Sequence, residues 1–396
     1  MPSPVDSRRR SYLLLAVIYL GYISLGLPDG TFGVVWPEIY PELNLPVGLA
    51  GVITAVGAIL TATAGFSSGW IIARWRTGPV VLVSGLLTAT GLLMLSQANH
   101  AVWLFAAVVP LGLGAGAADA GLNGYVARHY SGRHMNWLHA CWGVGAMSGP
   151  LVMAYALASP PGWRGGYFAV GVGQLALALV FLLTLSLWVR RPERAAADLD
   201  NHAPLRRPTR LANSFAGWLS VVIFALYVAV ELTTGLWASS ILVVARGLAP
   251  ESAAICVMAF YGAITGGRIL VGFGIGRFGA RTLVMAGACT ALLGALIFCF
   301  SGTMTMAALA LILIGLGFAP VYPCLMHEVP RRFAPEAVQT VIGRQSGAAS
   351  LGAGVLPAVA GGLAQHSLDG IPWLIVGGVI ALIVSIRVLD RATPVG

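Results

Sequence analysis

Residues 272–281 read Gly-Phe-Gly-Ile-Gly-Arg-Phe-Gly-Ala-Arg and form a short connection between two long apolar runs of the chain. Residues 69–78 read Gly-Trp-Ile-Ile-Ala-Arg-Trp-Arg-Thr-Gly and also connect two apolar runs. Both stretches begin with glycine and carry arginine five residues later. A pattern that recurs at long spacing indicates that the chain consists of two similar halves.

The composition excludes an ordinary soluble domain. Of the 396 residues, 58% are hydrophobic and only 9% are charged, whereas roughly a quarter of the residues are charged in soluble proteins. The apolar runs are continuous, and each is long enough to cross a bilayer as a helix of about 20 residues. We predict about twelve spanning helices, over residues 12–36, 47–73, 79–97, 101–127, 136–158, 166–189, 214–241, 252–275, 282–300, 304–326, 337–363 and 371–389.

Further matches between the two halves fall on equivalent predicted spans. Those at nearly the same spacing are Gly112 with Gly315, Gly114 with Gly317, Gly145 with Gly352, Pro150 with Pro357, Tyr22 with Tyr227, and Gly30 with Gly235. Together they favour two parallel six-span repeats. Such repeats are related by a pseudo-twofold axis along the membrane normal and enclose a cavity near the midplane.

The most polar stretch of the chain separates these halves. Residues 190–213 contain prolines, acids and arginines, and we interpret them as a cytoplasmic linker rather than a binding or regulatory segment. The expected organisation is an N-terminal six-helix bundle (1–189), the linker (190–213) and a C-terminal six-helix bundle (214–396). The predicted fold class is therefore an all-α integral membrane protein of two pseudo-symmetric bundles.

The distribution of arginine predicts the orientation in the membrane. All 23 basic residues are arginines, and nearly all lie in the N-terminal segment and in every second loop, while the alternate loops contain only Arg164 and Arg246. Because basic loops stay in the cytoplasm, we expect both termini to be cytoplasmic, in a bacterial inner membrane. The net charge of +9 arises from these loops, so we expect contact with the lipid bilayer and no nucleic-acid partner.

The two glycine–arginine loops resemble the cytoplasmic glycine–acid–arginine signature of the major facilitator superfamily. The acid that is usual in this signature is replaced by Ala73 in one copy and by Gly276 in the other. The sequence therefore departs from the family pattern at the residue to which a charge-relay role in gating is often given.

A closer resemblance is to the fucose–galactose–hexose–proton symporters. It is carried by Gly26-Leu-Pro-Asp-Gly30, by Asp119 and Asn123, by the glycine-rich run from Asn136 to Pro150, by the run from Tyr227 to Trp237, and by Tyr322-Pro323. This resemblance implies symport of a monosaccharide, or a similar small polar solute, with protons by alternating access. Because one twelve-span chain encloses a complete pathway, we expect a monomer, and we expect no cofactor.

Three acids, Asp29, Asp119 and Glu231, lie well inside apolar spans. A charge at the bilayer centre costs several kcal/mol, so each acid should face a wet cavity, pair with a cation or be protonated. Burial favours the neutral carboxyl, which suits proton coupling. In the resembling L-fucose–proton symporters, an aspartate on the first span and a glutamate on the fourth serve protonation and sugar binding, and Asp29 and Asp119 match those positions. The alternative for each acid is a structural hydrogen bond to a neighbouring helix.

Pro28 and Gly30 flank Asp29, so we expect the first span to bend or unwind there. The candidate substrate contacts are Asp29, Glu231, Asn123, His139, Trp142, Tyr227, Trp237 and Tyr322. An amide both donates and accepts hydrogen bonds, imidazole titrates near neutrality, and aromatic rings stack on the apolar faces of sugars. We rank Trp237 first among the aromatic candidates because it follows Glu231 on one span. A helix-bridging role for Asn123 and His139, or an interfacial role for the aromatic rings, stays open.

Arg268 lies deep in a predicted span and needs an anionic partner because arginine does not readily lose its charge. We consider Asp119 or Glu328 as this partner. Gating or structural ion pairs are assigned to Arg268, Arg344, Arg74, Arg277 and Arg281.

The chain contains no GxxxxGK[ST] phosphate loop and no hydrolase, haem or metal-ligand motif. Its five cysteines all lie in apolar runs, so we expect neither an enzyme nor a metal site. Two rival functions remain. The first is a proton-coupled drug or metabolite exporter of the same fold, and the second is a receptor that binds without transport, which the lack of an appended soluble domain disfavours. The identity of the solute and of the coupling ion is left open.

Overall fold

The computed structural model describes residues 4–130, 132–188, 214–333 and 335–393. Across these ranges the regular secondary structure is entirely helical, and twelve segments are long and apolar enough to cross a membrane. The predicted all-α, twelve-span membrane fold is confirmed. The predicted linker, residues 190–213, lies outside the described residues.

Within these described ranges fourteen α-helices build the twelve spans, because the first and tenth spans each contain two helices. The helices are α1 (Pro4–Asp29), α2 (Phe32–Glu42), α3 (Leu49–Trp75), α4 (Thr77–Ser96), α5 (Ala101–His129), α6 (Gly132–Leu157), α7 (Trp163–Leu183), α8 (Phe215–Ser240), α9 (Pro250–Phe278), α10 (Ala280–Cys299), α11 (Met304–Phe318), α12 (Val321–Arg332), α13 (Pro335–Ala364) and α14 (Gly370–Ala392).

The first span is interrupted directly after Asp29, as its flanking proline and glycine predict. The helix α1 ends at Asp29 and α2 begins at Phe32. Thr31 closes the gap, since its backbone N–H and its hydroxyl both donate to the carbonyl oxygen of Pro28, at 3.0 and 2.8 Å. The interruption therefore leaves Asp29 at a helix end in the middle of a span.

The two halves pack in the same way. In the first half α4 lies against α5 and α7, and in the second half α10 lies against α11 and α14. The pairs α1–α6 and α3–α5 likewise correspond to α8–α13 and α9–α11. The halves meet through two equivalent pairs, α3 with α13 and α6 with α9. These equivalent contacts indicate that a pseudo-twofold axis, parallel to the spans, relates the two halves.

Close contact between the halves is concentrated at one end of the spans. We call it the arginine-poor end, because Arg164 and Arg246 are the only arginines in the loops on that side. Here α2 inserts against α8, and the hydroxyl of Ser239 donates to the carbonyl oxygen of Val34 at 3.0 Å. Gly51 of α3 also lies against the backbone of α13.

At the opposite end, which we call the arginine-rich end because it carries Arg74 and Arg277, several large apolar side chains are exposed. Phe66 and Trp70 of α3 are 82% and 75% exposed, and Phe273 of α9 is exposed to a similar degree. On the helix pair α3–α13, which joins the halves, a methyl group on Gly69 or Gly343 would meet no described atom within 4 Å. The halves are therefore further apart at the arginine-rich end than at the arginine-poor end.

The repeated glycines Gly145 and Gly352 occupy equivalent helix contacts. A methyl group on Gly145 would collide with the carbonyl oxygen of Ile23 on α1, and one on Gly352 would collide with that of Ala225 on α8. Within each half, the small residue lets two spans approach at backbone distance. This shared contact explains why glycine recurs at both positions.

We expect Gly145→Ala and Gly352→Ala each to lower the free energy of unfolding by about 1–3 kcal/mol, because overpacking forces backbone shifts. Thermal unfolding in detergent, followed by tryptophan fluorescence, measures the loss. Gly173→Ala on α7 is the control, because a methyl group there meets no described atom within 4 Å. Equal melting temperatures for the three variants would contradict the packing argument.

Candidate functional site

The first polar cluster surrounds Asp119 in the N-terminal half. The hydroxyl of Tyr22 on α1 donates to Asp119 Oδ1 at 2.7 Å, and Asn123 Nδ2 donates to the same oxygen at 3.0 Å. Asn123 is one helical turn from Asp119, so the two side chains share a face of α5. The ring of His139 on α6 meets the ring of Tyr22 edge to face, at 5.8 Å between centroids. Asp119 and His139 are exposed, so this cluster is accessible and is not sealed between the helices.

The second cluster surrounds Asp29, also in the N-terminal half. The indole Nε1 of Trp142 on α6 donates to Asp29 Oδ2 at 2.9 Å. Asp29 is exposed and Trp142 is half-buried. Neither Asp29 nor Asp119 forms an ion pair with any residue that the structure describes. Both carboxyls are thus held by neutral donors beside accessible space.

The third cluster lies in the C-terminal half and contains a fixed charge pair. Arg268 of α9 lies with its Nη2 3.7 Å from Glu231 Oε1 and donates from the same nitrogen to the hydroxyl of Tyr227 at 3.4 Å. Glu231 is only 5% exposed. The Nε–H of Arg268 is buried and has no hydrogen-bond partner in the described part of the chain. The ion pair between Arg268 and Glu231 connects α9 to α8 within the C-terminal half.

The partner of Arg268 differs from both candidates that the sequence suggested. Asp119 lies in the opposite half, bonded to Tyr22 and Asn123. Glu328 lies at the arginine-rich end, where Arg281 Nε donates to it at 3.0 Å. The neighbouring helix α8 supplies Glu231 instead, because α8 and α9 are adjacent within one half.

Trp142 links the acidic cluster of one half to the ion pair of the other. Its N–H is bonded to Asp29, and the guanidinium carbon of Arg268 lies 5.6 Å from the centre of its ring. A cation at this distance from an indole face is attracted by the ring quadrupole. A continuous set of contacts, Asp29–Trp142–Arg268–Glu231, therefore crosses from one half to the other.

Two of the aromatic residues predicted to contact the substrate, Trp237 and Tyr227, are buried between helices. Trp237 is fully buried, and its Nε1 donates to the carbonyl oxygen of Pro357 at 3.2 Å. Tyr227 is buried against Phe318 and Tyr322. Tyr322 itself is half-buried and remains beside the ion-pair cluster.

The remaining predicted arginines lie toward the arginine-rich end and away from these clusters. Arg74 and Arg277 are exposed, and the guanidinium of Arg277 lies over the ring of Phe278. Arg344 lies over the ring of Trp218, at 4.7 Å from the centroid. Arg281 belongs to an ionic cluster with Glu328, Asp390, Arg331 and Arg332.

Tyr22 is the site residue that sequence reasoning missed. The sequence indicates it only as the repeat partner of Tyr227. In the structure the hydroxyl of Tyr22 donates to Asp119, whereas the hydroxyl of Tyr227 accepts a hydrogen bond from Arg268. A polar residue repeated at an equivalent midspan position was the signal that could have identified it. Among the described residues, no group of three or more His, Cys, Asp or Glu side chains could hold a metal ion.

Twelve spans in two similar halves, with polar side chains gathered between them, define a membrane transporter rather than an enzyme. The chain belongs to the Major Facilitator Superfamily, whose family model matches residues 18–343. The resemblance to this superfamily is confirmed, whereas membership of the sugar–proton symporter group stays a prediction.

The chain is 29% identical over 258 residues to the multidrug resistance protein Stp of Mycobacterium tuberculosis. The match covers 61% of this chain and 44% of that relative, so the chain spans less than half of the relative's length. The nucleoside transporter NupG has the same fold, with a TM-score of 0.77, 14% identity, and coverage of 96% of this chain and 99% of that structure. A bacterial homologue of the human lysosomal transporter Spinster, in an inward-facing and occupied conformation, gives a TM-score of 0.78 at 16% identity, over 98% of this chain and 97% of that structure.

The Arg268–Glu231 ion pair should contribute to the stability of the fold. Arg268→Gln leaves Glu231 buried without its cation, so we expect the free energy of unfolding to fall by about 3 kcal/mol. Adding Glu231→Gln removes the unpaired charge and should restore most of the loss. Thermal unfolding of the two single variants and the double variant forms the cycle. A double variant no more stable than Arg268→Gln would show that the two side chains are not coupled.

Proposed function

We propose that the chain is a proton-coupled secondary transporter that imports a small polar solute, with monosaccharides as the first candidates. The observation that carries the proposal is the environment of the Asp29 and Asp119 carboxyl groups. Both are exposed at midspan, and both accept hydrogen bonds from neutral groups rather than from arginine. A carboxyl in such a place can bind a proton in one conformation and release it in another.

Glu231 has a different role in this proposal. It is buried beside Arg268, and protonating it would leave that guanidinium without its anion. We therefore assign proton transfer to Asp29 and Asp119 and assign the Glu231–Arg268 pair to the framework of the C-terminal half. This division reduces the three candidate proton carriers from the sequence to two.

The direction of opening supports an alternating-access cycle. We assign the arginine-rich end to the cytoplasm, because basic loops remain on that side. The halves touch at the other end, so this conformation is inward-open. Protons and solute that bind from outside would then be released through the cavity beside Asp29 and Asp119.

Trp142 couples the protonation state of Asp29 to the contact between the halves. An ionised Asp29 accepts the indole N–H strongly, which holds the ring where Arg268 lies against its face. Protonation weakens that hydrogen bond and frees the ring to leave Arg268. The two states of Asp29 thus favour two different contacts between α6 and α9.

The side chains of Asn123, His139 and Trp142 favour a solute rich in hydroxyl groups. Asn123 and His139 both donate and accept hydrogen bonds, and the half-buried ring of Trp142 offers an apolar face beside them. Monosaccharides combine both features, and so does the ribose of a nucleoside. Because a nucleoside transporter shares the fold, nucleosides belong in the same substrate screen.

A second candidate is export of organic cations in exchange for protons. It is favoured by the relative named as a multidrug resistance protein and by the two carboxyls that have no arginine partner among the described residues. In that case the same acids would bind either a cationic solute or a proton. The direction of the proton-driven flux separates the two functions.

Proteoliposome uptake of radiolabelled hexoses, deoxyhexoses and nucleosides, with and without an inward proton gradient, tests the first proposal. We expect gradient-stimulated uptake by the wild type. Asp29→Asn and Asp119→Asn should lose at least about tenfold of the stimulation, since an amide cannot carry the proton. Solute counterflow, which needs no net proton transfer, should survive in at least one of them.

Glu251→Gln is the matched control, because Glu251 lies in the first turn of α9, at the arginine-poor end. Its gradient-stimulated uptake should equal that of the wild type. Absence of uptake for every sugar and nucleoside, together with proton-driven antiport of an organic cation by the same vesicles, would replace import with export.

Trp142→Phe tests the coupling role. Phenylalanine keeps an aromatic face for Arg268 and for the solute but lacks the N–H that Asp29 accepts. We expect counterflow within about twofold of the wild type and gradient-stimulated uptake reduced about tenfold, as for the loss of one hydrogen bond to a charged group. Trp103→Phe, at an exposed position on α5, is the control. Equal loss of counterflow and gradient-stimulated uptake in Trp142→Phe would assign Trp142 to solute binding alone.

A further inference from the structure

A groove of about 520 Å³ lies at the arginine-rich end of the C-terminal half, between α10 and α14. These helices pack chiefly against helices of their own half, so the groove is separate from the cavity between the halves. Its walls are formed by Arg281, Thr282, Met285, Ala286, Arg387, Asp390 and Arg391.

The charge of the groove is positive and only partly neutralised. Asp390 is its one acid, and Arg332 already donates to Asp390 at 2.7 Å. Arg281 is bonded to Glu328. Arg387 and Arg391 are exposed, and neither forms an ion pair with a carboxylate in the part of the chain that the structure describes. Two guanidinium groups one helical turn apart therefore remain to bind an anion.

The apolar faces of the same two helices extend from the groove toward the middle of the spans. On α10, Leu293 and Leu296 are exposed, and their spacing from Thr282 and Ala286 places them on one helix face. On α14, Ile380 and Val384 are exposed, and their spacing from Arg387 and Arg391 places all four side chains on one helix face. The basic end and the apolar strip are thus continuous.

We propose that this groove binds the headgroup phosphate of an anionic phospholipid from the surrounding leaflet. Guanidinium groups form paired hydrogen bonds with phosphate oxygens, and basic pockets between spans at the cytoplasmic face suit anionic headgroups. The apolar strip accommodates an acyl chain, which a soluble phosphate does not have. This complementarity selects a phospholipid over a soluble anion, and it does not depend on the transported solute.

Native mass spectrometry of the full-length protein, titrated with phosphatidylglycerol or phosphatidylcholine, tests the proposal. We expect phosphatidylglycerol to bind the wild type more tightly, and the Arg387→Gln/Arg391→Gln variant to lose that preference with a drop in affinity of about tenfold or more. The Arg74→Gln/Arg277→Gln variant removes two exposed arginines from the same end but outside the groove. It should bind like the wild type.

Thermal unfolding separates lipid binding from folding. Without added lipid, the Arg387→Gln/Arg391→Gln variant should unfold at the temperature of the wild type, and only its stabilisation by phosphatidylglycerol should be lost. Undiminished phosphatidylglycerol binding by this variant would overturn the proposal. Displacement of the lipid by millimolar inorganic phosphate would also overturn it, because the groove would then be a site for a soluble anion.

Discussion

Inside a bilayer a polar group has no water to bind, so every backbone amide and every charged side chain needs a partner in the protein or a wet cavity. The break in the first span obeys this constraint, because Thr31 directs its backbone N–H and its hydroxyl at the carbonyl oxygen of Pro28. Glu231 obeys it through Arg268, and Asp119 obeys it through two neutral donors beside accessible space. The polar residues within the spans therefore mark either a fixed partnership or the edge of a cavity.

The two halves share a fold but meet this constraint differently. Tyr22 and Tyr227 occupy matching positions. Tyr22 donates to Asp119, which has no arginine partner among the described residues, whereas Tyr227 contacts the Arg268–Glu231 pair. The proposed cycle uses this asymmetry. In this proposal the N-terminal half provides groups that can change charge, while the C-terminal half provides a cation that does not. A proton bound to one half then alters its attraction for the other half, which is what coupling a proton to a conformational change requires.

The spans, their number and the repeat could be predicted from the sequence, because hydropathy and glycine spacing are local properties of the chain. The partner of Arg268 could not, because the sequence does not state which helix faces it, and the nearest acid belonged to α8. Trp237 illustrates the same limit. Six residues at about 100° per residue turn a side chain well away from Glu231, and the indole packs toward Pro357 instead. Contacts between spans depend on helix rotation and packing, which periodicity alone describes poorly.

Three glycines near the arginine-rich end, of which Gly69 and Gly272 belong to the repeated loops, have a role that a second conformation of the protein would explain. Gly69 and Gly343 lie on the helix pair α3–α13, and Gly272 lies on α9, yet no described atom lies within 4 Å of a methyl group placed on any of them. Glycine within a helix costs about 1 kcal/mol relative to alanine, so open space alone does not account for it. At the arginine-poor end, Gly33 and Gly51 already permit backbone contact between the halves. In an alternating-access cycle the arginine-rich end must close in its turn, and glycines at that end allow the same close approach.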